Sequence, residues 1–66
     1  MEYQGARDAK LVARSIRENW PMTPEKRREA IEFLKQVVAE PSTRPKTREG
    51  VERVLNSVTA DGIYLN

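Results

Sequence analysis

Two proline-set breaks constrain this chain more than anything else in it. They are Trp20-Pro-Met-Thr-Pro24 and Pro41-Ser-Thr-Arg-Pro45. Proline inside a helix removes a backbone donor and clashes with the preceding turn, yet it fits the first helical position, where no donor is needed. Thr23 stands just before Pro24, where its hydroxyl can cap a new helix. Each break therefore reads as a helix stop followed at once by a helix start. The spacing predicts an all-α fold in one domain over residues 1–66. Its helices are placed at about 6–19, 24–40 and 45–58, with a short tail over 59–66. Met1–Gly5 is polar and reads as a loose lead-in.

Apolar periodicity assigns the faces. Ala9, Val12, Ala13 and Ile16 recur at helical spacing, and Trp20 is expected to extend that side. Arg7, Lys10, Arg14 and Arg17 form a neighbouring basic stripe, with Leu11 beside it and away from the apolar side. In the second helix Ala30, Ile31, Phe33, Leu34, Val37 and Val38 cover an arc wider than one neighbour requires. That breadth predicts a central helix packed by both others. Arg27 lies towards the arc, where its stem can cover the core edge while the guanidinium reaches water. Arg28 and Glu32 stand at ion-pair spacing on the far side. The third helix has a stripe of Val51, Val54, Leu55 and Val58, with Lys46, Glu49, Gly50, Arg53, Asn56 and Ser57 outward. Asp61-Gly62 reads as a turn, after which Ile63-Tyr64-Leu65 is apolar enough to fold back or to meet a partner.

Composition excludes more than it assigns. A chain of 66 residues makes a thin core, and with no cysteine no disulfide can reinforce it. The lack of both cysteine and histidine rules out a classical structural zinc site and removes the commonest general base and thiol nucleophile. The three glycines stand too far apart for a phosphate loop. The expectation is a protein that is not an enzyme, with no metal and no cofactor. No apolar run approaches the ~20 residues that span a bilayer, so no membrane partner is expected; the absence of cysteine suits an intracellular, cytoplasmic protein. Charged residues make up 33% of the chain, but the net charge is only +2. That excess alone does not argue for nucleic acid.

The arrangement of the charges says more. A linker of about four residues between the second and third helices permits a steep crossing, as in a helix-turn-helix. In that motif the first turns of the second helix meet the DNA. Here Arg44, Lys46, Thr47 and Arg48 crowd the start of the third helix, where free backbone donors also attract phosphate. Arg53 lies two turns on, within reach of a base edge or the other strand, and Asn56 is suited to adenine. Against this, Glu49 sits within the same face and repels phosphate. The linker has no glycine, and cations at a helix start oppose its dipole. The competing reading is a non-catalytic interaction protein that binds a host protein or a second copy of itself. Its candidate contacts are Leu11, Ile63, Tyr64 and Leu65.

Residues 13–58 resemble short phage and prophage proteins described as terminase small subunits. The resemblance rests on Ala13-Arg-Ser-Ile-Arg17, on Trp20-Pro-Met-Thr-Pro-Glu25, and on the amphipathic helix ending Val37-Val-Ala-Glu-Pro41. The proline-led segment Pro45-Lys-Thr-Arg-Glu49 through Val54-Leu55 completes it. It implies a viral helix-turn-helix that binds double-stranded DNA, acting in packaging or regulation inside the host cell. It would place Arg44, Lys46, Thr47, Arg48 and Arg53 on or near the DNA side.

Overall fold

The computed structural model describes residues 6–65, and side chains from Asp8 onward; the Met1–Gly5 lead-in and the Arg7 side chain lie outside them. The chain folds as three helices, α1 (Ala6–Arg17), α2 (Pro24–Ala39) and α3 (Pro45–Leu55). Each packs against both of the others. The fold is all-α, and a single antiparallel bridge, Val58 to Tyr64, is its only sheet-like pairing among the described residues.

Both breaks lie where the prolines place them, and the end of α1 is closed by a definable device. α1 stops because Asn19 takes a left-handed conformation (φ 54°). The amide of Trp20 then reaches Ser15 O (3.0 Å) and that of Asn19 reaches Ile16 O (3.1 Å). These two reversed bonds form a Schellman ending, and asparagine tolerates the required backbone better than most residues. The expected run to Asn19 is shortened accordingly. The turn also carries Trp20 off the apolar face. The indole is 38% exposed, and its N–H donates to Glu18 Oε1 (2.9 Å). Met22 packs on the core in its place.

The core consists of Ala9, Ala13 and Ile16 from α1, Leu34 from α2, and Val51 and Val54 from α3. α2 is not the central element that its broad arc predicts. α1 and α3 touch directly, so the three helices close a triangle. The arc of α2 divides between two seams, which leaves Ala30, Ile31, Phe33, Val37 and Val38 half-buried around one fully buried Leu34.

After α3 the chain turns back on itself. Thr59 N donates to Ile63 O (2.9 Å) and Leu65 N to Ser57 O (2.7 Å), while the Thr59 hydroxyl accepts from the amides of Asp61 and Ile63. Gly62 sits at the corner with φ 82°, and a Cβ there would lie 3.0 Å from Cγ and Cδ of Arg27. The Arg27 stem covers the core edge as expected. Its Nη1, however, is buried without a hydrogen-bond partner instead of reaching water. Val58 leaves the helical stripe to pair with Tyr64, and both pack on the core.

Candidate nucleic-acid interface

Residues 40–44 set how α3 meets α2. Glu40 and Arg44 are both extended, at φ −77°, ψ 119° and φ −64°, ψ 143°, so the two helices cannot run as one rod. The last carbonyls of α2 need partners, and the residues after the break supply them. Thr43 Oγ1 donates to Val37 O (2.7 Å), Arg48 Nε to Val38 O (3.2 Å) and Arg48 Nη2 to Glu40 O (3.0 Å). A guanidinium on the carbonyl end of a helix also suits the helix dipole.

This geometry divides the predicted site residues. Thr47 is buried (8% exposed), on the same inward stripe as Val51 and Val54, and does not face a phosphate. Its spacing of four and seven residues from those valines was readable in the sequence as a core position. Arg48 is half-buried and held by the carbonyls of α2, so it serves the junction. Both corrections have one cause: the rotation of α3 that buries Val51 and Val54 carries the preceding turn inward with them. Arg44, Lys46, Arg53 and Asn56 are exposed. Thr43, just before Arg44, bonds backwards to α2.

The start of α3 is consequently open. Its N-cap position is Arg44, which makes no side-chain cap bond, and Pro45 follows. No acidic residue occupies its first turn. The backbone N–H of Lys46 belongs to the helix start, where no acceptor exists within the helix. Further along, Lys46, Gly50 and Arg53 lie at helical spacing on one exposed stripe, and nothing approaches within 4 Å of the position a Gly50 side chain would take. Glu49 and Glu52, also exposed, flank it.

The other basic stripe differs. On α1, Lys10, Arg14 and Arg17 are exposed, but Arg14 is engaged with Glu18 (Nε to Oε2, 3.0 Å). Hydrogen bonds from the Trp20 indole and then from Arg14 hold the Glu18 carboxyl below the ordinary glutamate pKa. On α2, Glu32 lies 3.6 Å from Lys35 and not in the expected pair with Arg28.

The predicted partner contacts also separate. Leu11 (54%), Ile63 (41%) and Leu65 (59%) are exposed, whereas Tyr64 packs against the core. Leu11 borders a shallow groove with Val12, Ala30 and Phe33 between α1 and α2. A larger groove, about 730 Å³, lies between α2 and the returning tail, walled by Ile31, Leu55, Val58 and Ile63. Arg27 lines it, but the unpartnered Nη1 is sealed from solvent and offers no donor to a ligand there.

Among the described residues no cluster of acidic side chains is placed to hold a metal ion, and no helix is long and apolar enough to cross a membrane. No protein-family profile, no curated protein and no solved structure matches this chain.

Proposed function

We propose that this domain is a non-catalytic module that binds double-stranded DNA through the outer face of α3. The observation that carries the reading is the open start of that helix, uncapped and led by Arg44, running into the exposed stripe of Lys46 and Arg53. A helix start presents unpaired amides and the positive end of its dipole, and both favour phosphate. Arg44 and Lys46 supply charge without sequence preference, whereas Arg53 and Asn56 lie further along, where side chains of a groove-lying helix meet base edges. The short junction, with Arg48 bonded to the carbonyls of α2, supports a helix-turn-helix reading. Together with the terminase-small-subunit resemblance, this supports a phage or prophage protein that acts on viral DNA in packaging or regulation.

The test is a salt titration of binding to a mixed-sequence duplex. Phosphate contacts release counterions, so affinity falls steeply as salt rises. Lys46→Ala should weaken binding on every sequence and reduce the slope of log affinity against log salt by about 1, whereas Arg53→Ala should change sequence preference. Absence of binding at about 50 mM salt, where electrostatic contacts are strong, overturns the proposal.

A further inference from the structure

Gly50 has no structural reason to be glycine. It lies in the interior of α3, where glycine is less favourable than alanine by about 1 kcal/mol. Its φ is not in the left-handed range, since the only positive-φ glycine among the described residues is Gly62. Nothing packs on it either, for beyond the helix's own adjoining backbone a Cβ there would meet nothing within 4 Å. The other interior turns of α3 carry side chains that are buried, charged or bonded to α2. Gly50 is thus an unfilled notch in the exposed face, with Lys46 one turn before it and Arg53 one turn after.

We propose that this notch is the contact point for the sugar–phosphate backbone of the duplex, and that Gly50 sets how closely α3 can approach it. The inference rests on the DNA-binding reading above and adds a steric element to it. With no side chain at position 50 the strand can lie against the helix backbone, Lys46 reaches a phosphate, and Arg53 reaches past the strand to a base edge. A side chain there would hold the strand off, and both cations would lose contact at once. Glycine is the residue that allows close approach of a helix backbone to a ligand. Glu49 lies beside the notch and disfavours a path of the strand over that flank.

The experiment is a size series, Gly50→Ala and Gly50→Gln, read in two ways on the full chain. Both substitutions favour helix, so the melting temperature should rise in each. Affinity for a mixed-sequence duplex at low salt should fall about 5-fold for Ala and about 50-fold or more for Gln, in order of size, although both variants are more stable than the wild-type chain; glycine's service as a point of close approach is the reason. The salt dependence should also fall, more for Gln than for Ala, because a strand held off the helix loses the ion contact that Lys46→Ala removes directly. Variants that melt higher and bind as tightly as the wild-type chain overturn the role of Gly50 and leave the DNA-binding reading standing. A wild-type chain that binds no duplex overturns both.

Discussion

The outer faces of α2 and α3 treat the same problem in opposite ways. α2 follows the local rules at its start, although its last turn carries no base. Thr23 accepts from the Lys26 amide (3.1 Å), Pro24 occupies the first position, Glu25 places negative charge in the first turn, and Glu32 pairs with Lys35. α3 also begins on a proline but breaks the rest of those rules. Its N-cap is an uncapped arginine, its first turn has no acid to offset its lysine, and its exposed interior holds Gly50. The hydroxyl just before that arginine, Thr43, is used on the Val37 carbonyl of α2. Natural helices that forgo local stability tend to do so at functional sites, and the contrast locates the proposed site on α3.

The largest expected effect falls on Arg48. Arg48→Met should destabilise the fold by about 1–3 kcal/mol, because Val38 O loses its donor and Glu40 O loses one, leaving polar groups at the junction undersatisfied. Chemical denaturation would measure it. DNA affinity of the folded fraction should stay within about 2-fold, since in this account Arg48 contributes no phosphate contact. A large loss of affinity with unchanged stability would move Arg48 back to the DNA side and erase the distinction drawn from the structure.

The two helix starts can then be exchanged. Thr23→Ala removes the α2 cap and should lower stability by about 1 kcal/mol. Arg44→Ser gives α3 the cap it lacks and should raise stability by a few tenths to about 1 kcal/mol. The same Arg44→Ser change should weaken duplex binding several-fold, since it removes one cation and closes the open helix start. Stability and binding would therefore move in opposite directions at Arg44, while Thr23 should affect stability alone. If Arg44→Ser lowers stability, the unoccupied cap is not a vacancy that function maintains.

The smallest effect lies at the end of α1. The Glu18 carboxyl is held below its ordinary pKa by the Trp20 indole and then by Arg14. A carboxyl depressed in the folded state stabilises the fold above its ordinary pKa, and that contribution is lost as pH falls through the folded value. A carbon-detected NMR titration should place its midpoint below that of an unperturbed glutamate, and Trp20→Phe should move it back up. An unshifted midpoint in the wild-type chain would mean that the indole–carboxylate bond does not persist in solution.

The division between what the chain spells out and what it conceals is itself physical. Both helix breaks, the Thr23 cap and the three apolar stripes were legible because prolines, capping hydroxyls and periodicity act within a few residues. The end of α1 at Arg17 was not, since it depends on Asn19 adopting a left-handed backbone, which its side chain permits without dictating. Within the site, the inward turn of Thr47 could have been read from its spacing to Val51 and Val54. The assignment of Arg48 could not, because its acceptors belong to another helix and are reached only once α3 is docked. Charge in a sequence shows that a cation exists, and tertiary structure decides whether the protein itself has already engaged it.

The most direct test follows backbone amide shifts of the labelled domain as a short duplex is added at low salt. The account predicts that the largest changes fall on Lys46, Gly50 and Arg53, with the Lys10, Arg14 and Arg17 stripe little affected. A response centred on that α1 stripe, or none at all, would contradict it.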